Sequence, residues 1–383
     1  MKSYRWHKAV FEMLRYTAAP IIRHAMKYSY EKPDGPHKPS LIVSNHNTDL
    51  DPVLVAMSFS RHIYFLASEH ALRAGFASKL LKRMFNPIPI NKVKPDIGAI
   101  KEIIVRIKAG ASVCFFPEGD RSYNGVTAPV TVAAAKLAKK SGADLITFRL
   151  EGGYFTRPRW SKEKRKGGMT GVIVGRYAAA DIKEMTDEQV TAIIDRDIYE
   201  DAYERIKLNP SLYKCNNPAE NIEAVLYLCP ECERIGTIKS KGAGFICSCG
   251  LAGVYTETGQ LEGERLQYNT ITEWDRWQAK KLEEIVAGSD SGQICGDREQ
   301  QLYEVHSAVG QTLAGTGDMW ISRDEFHCAG KTFSLDNINR FAIVGQMTLL
   351  FSLKSGEFYE VRSAVPRSAL KYKEIYRILY PKE

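Results

Sequence analysis

The chain has 383 residues, 44% hydrophobic and 26% charged, with 53 Lys and Arg against 45 Asp and Glu. These proportions are those of a globular protein and exclude a disordered one, and the length calls for two or three domains. The longest apolar runs, about six residues, are far short of the roughly 20 that span a bilayer. Residues 1–8 show no apolar signal core and no cleavage site, so the expectation is a cytoplasmic protein, peripheral on the cytoplasmic face of a membrane, with no transmembrane span.

Charge is unevenly placed. Residues 1–215 hold 35 Lys and Arg against 22 Asp and Glu, and residues 216–383 hold 18 against 23. A basic front half suits a phosphorylated substrate, an anionic membrane surface or nucleic acid, and equally a plain solvated face. Residues 4–30 read as one or two helices jointed at Pro20. Trp6, Val10, Met13 and Leu14 recur at helical spacing, as do Ile21, Ile22, Ala25 and Met26, with Arg5, Lys8, Arg15, Arg23 and Lys27 elsewhere. An amphipathic segment of this kind over residues 1–30 can lie on a membrane surface or pack on its own domain.

After a Pro/Gly-rich turn at 31–39, strands and helices alternate. Strands are expected at 40–43, 63–66, 113–116, 144–150 and 171–175, with a short extended piece at 87–90. Helices are expected at 74–85, from a cap at Asp96 to 109, at 130–140 and at 186–207. The pattern predicts an α/β domain over residues 31–214, with a largely parallel sheet flanked by helices. Asn- and Pro-containing turns at 209–211 and 216–218 mark its end. Residues 219–260 form a small cysteine-containing segment. Residues 261–383 read as a helix at 272–286, short strands from 302 to 363, and a terminal helix carrying Leu370, Tyr372, Ile375, Tyr376 and Leu379. The last 80 or so residues resemble a small β-barrel or pleckstrin-homology-like module suited to lipid headgroups or a partner.

Two stretches carry candidate chemistry. The first runs from Ser44 through Asn45-His46-Asn47-Thr48-Asp49-Leu50-Asp51 to Pro52. A buried strand stops at a cluster of turn formers, and Pro52 suits the first turn of a helix. On a regular helix His46 and Asp51 would point about 140° apart, so they meet only if the chain turns between them. A His held by a carboxylate is fixed in tautomer and strengthened as a base for a substrate hydroxyl. Asp51 equally suits a helix N-cap, and His46 a turn histidine. The second stretch, Phe115-Phe116-Pro117-Glu118-Gly119-Asp120-Arg121-Ser122, ends a buried strand in a Gly-containing loop. A guanidinium beside backbone N–H groups can cradle a phosphate; the same loop can also be a surface turn with a Glu–Arg pair.

Asn-His-x4-Asp followed about 70 residues later by Phe-Pro-Glu-Gly-x-Arg-Ser resembles the glycerolipid acyltransferase family of lysophosphatidic acid and glycerol-3-phosphate acyltransferases. The resemblance covers roughly residues 35–180. It implies an O-acyltransferase that moves a fatty acyl group from acyl-CoA or acyl carrier protein to the free hydroxyl of lysophosphatidic acid or a similar lysophospholipid. It makes His46 the general base oriented by Asp51, and makes Glu118, Gly119 and Arg121 the phosphate-binding block. A further block falls at Ile90-Asn91-Lys92, where Lys92 replaces the usual Arg and loses its bidentate fork. Asp120 stands where Thr is common, and Phe148 to Tyr154 replaces the family's fourth block. These departures leave the acceptor's identity open. A lipid acceptor favours peripheral contact of the N-terminal segment with a membrane. The alternative is a non-catalytic lipid- or partner-binding protein on the same fold, against which the pairing of His46 with Asp51 speaks.

Of eight cysteines, four cluster as Cys229-Pro-Glu-Cys232 and Cys247-Ser-Cys249, fourteen residues apart. In a chain expected inside the cell this spacing predicts a structural zinc site of four thiolates in a ribbon-like fold, with reduced cysteines as the other reading. The second knuckle is C-x-C rather than C-x2-C. Zinc ribbons also bind nucleic acid, but the net negative second half speaks against that partner.

Overall fold

A computed structural model describes residues 2–31, 38–68, 82–90, 97–290, 292–306 and 310–381. The chain divides into two compact units, Met1–Pro158 with Arg165–Tyr213, and Arg159–Lys164 with Lys214–Glu383.

The first unit is built on a seven-stranded sheet. Its strands are β1 (Tyr28–Tyr30), β2 (Ser40–Ser44), β3 (Ile63–Ser68), β4 (Ile88–Ile90), β5 (Ser112–Phe115), β6 (Asp144–Glu151) and β7 (Met169–Tyr177), in the order β1-β7-β6-β2-β5-β3-β4. Every neighbouring pair is parallel except β6 with β7. The largely parallel α/β architecture expected from the sequence is present. Side chains alternate across β2, as a period of two requires. Leu41 and Val43 join Ile103, Ala134, Leu137, Val190 and Ile194 on one face, while Ile42 joins Leu54, Val55, Phe59 and Phe148 on the other. The first face is covered by α4 (Ile97–Lys108), α5 (Val132–Ser141), α7 (Ala179–Glu184) and α8 (Asp187–Ile198). The second is covered by α3 (Asp51–Ser58) and by Ala19, Ile22 and Met26. Burial on both faces explains why these strands read as continuous apolar runs.

Several expectations need correction. The N-terminal segment is α1 (Lys2–Thr17) and α2 (Ala19–Ala25), with Pro20 in the first turn of α2, but 28–30 is a strand. Tyr28 is buried, its hydroxyl 2.7 Å from the Ser58 hydroxyl, and β1 pairs in parallel with β7. Residues 1–30 therefore belong to the first compact unit. The apolar stripe also splits: His7, Val10 and Phe11 are buried, while Trp6, Met13, Tyr16 and Ile21 are exposed. His7 Nδ1 lies 3.0 Å from the Tyr64 hydroxyl. Beside it His62 is buried with neither ring nitrogen hydrogen-bonded, and burial, then His7 and Arg106, push its pKa down to about 4. The single helix expected at 186–207 is two, α8 and α9 (Ala202–Leu208), because Asp201 caps a second start by accepting from the N–H groups of Tyr203 and Glu204. Between β6 and β7 lies a one-turn helix, α6 (Gly153–Thr156). Of the helix expected at 74–85 only 82–85 is described, and it is helical; Lys92 and Asp96 lie outside the described residues.

In the second unit, β8 (Ile238–Lys241), β9 (Gly244–Cys247), β10 (Ala252–Tyr255) and β11 (Leu261–Glu262) form a four-stranded antiparallel sheet around the cysteines. Helix α10 (Ile271–Ala287) follows. Then β12 (Cys295–Val305), β13 (Gln311–Ile321), β14 (Glu325–Cys328), β15 (Lys331–Ser334), β16 (Ile338–Val344), β17 (Thr348–Leu353) and β18 (Phe358–Ser363) make a seven-stranded antiparallel sheet, and α11 (Leu370–Leu379) ends the chain. Residues 219–260 and 261–383, expected as separate segments, fall in one compact unit. The joint is physical: buried Trp274 of α10 donates to the Leu228 carbonyl at 2.9 Å, and Gln278 donates to Val225 and accepts from Tyr227. Among the described residues no helix is long and apolar enough to cross a membrane.

Candidate active site

Strand β2 delivers Asn45, His46 and Asn47 at its C-terminal end, where ligands of parallel sheets bind. The chain then turns back on Asp51, the first residue of α3. Asp51 caps none of that helix's N–H groups; Leu50 holds the cap position. Its fully buried carboxylate instead gathers the turn. Oδ2 lies 2.8 Å from His46 Nδ1 and accepts from the N–H groups of Asn47 at 2.6 Å and Thr48 at 2.8 Å, while Oδ1 accepts from the Thr48 hydroxyl at 2.6 Å. A carboxylate only accepts, so His46 Nδ1 carries a proton, and in the neutral imidazole Nε2 then keeps its lone pair. The sequence left Asp51 as helix cap or histidine partner; the geometry makes it the partner.

Strand β5, next to β2, delivers the second loop to the same place. Glu118 Oε1 accepts from the His46 N–H at 2.6 Å and Oε2 from the Ala128 N–H at 2.9 Å, and the Ser122 N–H returns to the His46 carbonyl at 3.1 Å. Gly119, with φ of +73°, makes the intervening turn in a region that disfavours side chains. The Phe116 ring stacks on the His46 imidazole at 4.3 Å. Burial pushes the Glu118 carboxyl up to about 8, against the two N–H donors that pull it down. Glu118 thus ties the two loops together through backbone N–H groups.

Arg121 and a residue the sequence reading missed, Arg157, meet on one carboxylate. Asp49 Oδ1 pairs with Arg121 Nη1, and Asp49 Oδ2 lies 2.7 Å from Arg157 Nη1. Asp49 is 42% exposed, against 13% for Arg121 and 30% for Arg157, so the trio reaches solvent at Asp49, within the turn that links His46 to Asp51.

Glu200 was also missed. It is 2% exposed and sits behind the turn, in the break between α8 and α9. Oε2 accepts from Asn47 at 2.8 Å and Asn45 at 3.4 Å; Oε1 accepts from the Gly152 N–H at 2.7 Å and pairs with Arg205 Nε at 3.2 Å. Burial raises its carboxyl to about 7, opposed by the Gly152 N–H, Arg205 and Asn47. Asn45 completes the support by exchanging hydrogen bonds with Leu150 at 2.7 and 2.8 Å. Gly153 is required by contact: a Cβ there would lie 2.9 Å from the Asn47 Cβ. The one local signal for this support was Asp201, a helix-start residue inside what read as a continuous helix.

In the second unit the Sγ atoms of Cys229, Cys232, Cys247 and Cys249 all lie within 4.8 Å of one another. Cys229–Cys249 and Cys232–Cys247 are each 3.7 Å apart, close to the roughly 3.8 Å edge of a tetrahedron with 2.3 Å zinc–sulfur bonds. Four thiols at this spacing fit a structural zinc ion. They leave no open position for catalysis.

Residues 15–151 match the family model described as acyltransferase. The chain is similar to a chloroplastic 1-acyl-sn-glycerol-3-phosphate acyltransferase of Brassica napus, 28% identical over 36% of this chain and 40% of that one. It is also similar to a 1-acyl-sn-glycerol-3-phosphate acyltransferase of Borreliella burgdorferi, 27% identical over 44% of this chain and 67% of that one. Among solved structures, the 1-acyl-sn-glycerophosphate acyltransferase of Thermotoga maritima aligns over 51% of this chain and 82% of its own, at 20% identity and a TM-score of 0.41. The chain spans about two fifths of the length of the plant relatives it matches.

Proposed function

We propose, because residues 15–151 match the family model described as acyltransferase, that this chain transfers a fatty acyl group from an acyl thioester, carried by coenzyme A or acyl carrier protein, to the free hydroxyl of lysophosphatidic acid or a similar lysophospholipid. The observation that carries this reading is the His46–Asp51 pair, 2.8 Å apart at the C-terminal end of a parallel strand. In the proposed reaction His46 Nε2 takes the proton from the acceptor hydroxyl as its oxygen attacks the thioester carbonyl carbon. The imidazolium so formed is stabilised through Nδ1–H by Asp51. The tetrahedral intermediate collapses, the C–S bond breaks, and the departing thiolate takes the proton back from His46. No enzyme nucleophile and no metal take part in this scheme. Arg121 meets the acceptor's phosphate, and Lys92 is assigned the same role from the family's spacing.

The N-terminal helices suit a membrane surface: Trp6, Met13, Tyr16 and Ile21 are exposed, alongside exposed Arg5, Lys8, Arg23 and Lys27. In this reading they hold the enzyme on the bilayer that supplies its acceptor. The four cysteines of the second unit hold a structural zinc ion that staples the β8–β11 sheet.

The test is acyl transfer from acyl-CoA to lysophosphatidic acid, with His46→Ala as the paired variant. A positioned general base contributes about 10²–10⁴-fold, so the variant is expected to lose that much rate. Wild-type protein that binds the lipid without transferring acyl groups would instead make this a non-catalytic lipid-binding protein. Activity unchanged in His46→Ala would remove His46 from the chemistry.

A further inference from the structure

Two guanidinium groups converge on Asp49. Exposed ion pairs contribute little to stability, and Asp49 is the most exposed member of the trio. The arginines come from different elements. Arg121 follows the Glu118-Gly119 turn after β5, and Arg157 follows α6 after β6. Each loop is anchored to the His46 turn, the first through Glu118 and Ser122, the second through Asn47, which donates to the Leu150 carbonyl at 3.2 Å and packs against Gly153. Both cations are therefore held in register with His46. Together with Asp49 the trio carries a net charge of +1. A phosphomonoester carries about −1.5 to −2 near neutral pH and offers three terminal oxygens, where a carboxylate offers one charge and two. It is the better partner for two arginine forks.

We propose that Arg157 is a second ligand for the acceptor's phosphate beside Arg121, and that Asp49 is a tethered placeholder that the phosphate displaces. Asp49 keeps the two guanidinium groups together until the acceptor binds and gives them up to its dianion. An acceptor lacking phosphate has nothing to trade for that pair, so the trio selects phosphorylated over neutral acceptors. This rests on the acyl-transfer reading above and adds the residues that choose the acceptor.

The experiment has a kinetic and a binding arm. In the first, kcat/KM is measured for lysophosphatidic acid and for monoacylglycerol in wild-type, Arg157→Ala and Arg157→Lys proteins. The ratio favouring lysophosphatidic acid is expected to fall about ten- to a hundredfold in Arg157→Ala, chiefly through KM, as for loss of a hydrogen bond between charged groups. Arg157→Lys keeps the charge without the fork and should retain part of the ratio. In the second arm, calorimetry measures glycerol 3-phosphate binding. Asp49→Asn and Asp49→Ala should bind it several-fold more tightly than wild type, and Arg157→Ala more weakly. A ratio and Kd within twofold of wild type in Arg157→Ala, or weaker binding in both Asp49 variants, would overturn the inference. If wild-type protein acylates neither acceptor, the proposed function fails while the binding arm still decides the roles of Asp49 and Arg157.

Discussion

Replacing Asp51 separates the two services it performs, since its carboxylate both orients His46 and faces its charge. In Asp51→Asn, the amide oxygen can take the Oδ2 position and still accept from His46 Nδ1 and the N–H groups of Asn47 and Thr48. The amide nitrogen then faces the Thr48 hydroxyl, which can accept as well as donate. Geometry survives and charge is lost. At 2.8 Å an imidazolium and a carboxylate attract by roughly 6 kcal/mol at an effective dielectric of about 20. Because His46 is 22% exposed and the carboxylate is shared with three other donors, about 3–4 kcal/mol of this remains to act on the transition state, or roughly 10²–10³ in rate. Asp51→Ala should behave differently. It strands one ring and two backbone N–H groups at about 1–3 kcal/mol each, so rate and folding stability fall together. The assay is thiol release from acyl-CoA under saturating lysophosphatidic acid, read beside urea denaturation. Asp51→Asn turning over within threefold of wild type, or losing as much stability as Asp51→Ala, would refute this division of labour.

Three other perturbations probe the surroundings. Every contact to Glu200 is a donor, so Glu200→Gln must turn an NH2 group toward one of them; stability should fall by about 1–3 kcal/mol and kcat by about tenfold, read by urea denaturation and turnover. Metal analysis should find about one zinc per chain, lost in Cys232→Ser along with several degrees of the second unit's unfolding midpoint, at about 2–4 °C per kcal/mol. His62 has its pKa lowered from 6.5 to about 4, so the unfolded chain binds the extra proton and stability falls as pH drops through that window. His62→Phe should flatten that decline when unfolding is followed from pH 7 to 4, and an unchanged slope would mean that another group titrates there.

How much of this was legible in the sequence depends on how locally each feature is encoded. The α/β alternation was readable because strands buried on both faces must be continuously apolar. Strand β1 was not: three residues without an apolar run look like a helix end, and only pairing with β7 makes Tyr28-Ser29-Tyr30 a strand. The two motifs were readable as motifs, and so was the cysteine spacing, because each lies within a short stretch.

The partnership of His46 with Asp51 shows where that legibility stops. Residue types and spacing determined that a His, an Asp and an Arg emerge at the ends of buried strands, and nothing local decided between helix cap and histidine partner for Asp51. That decision came from a turn whose N–H groups converge on one carboxylate, held in place by Glu118 from 72 residues away and Glu200 from 153. Arg157 and Glu200 could not be found from sequence for the same reason. Each is an ordinary charged residue in its own neighbourhood, and it acquires a role only when the sheet sets β2, β5 and β6 side by side and brings their following loops to a single edge.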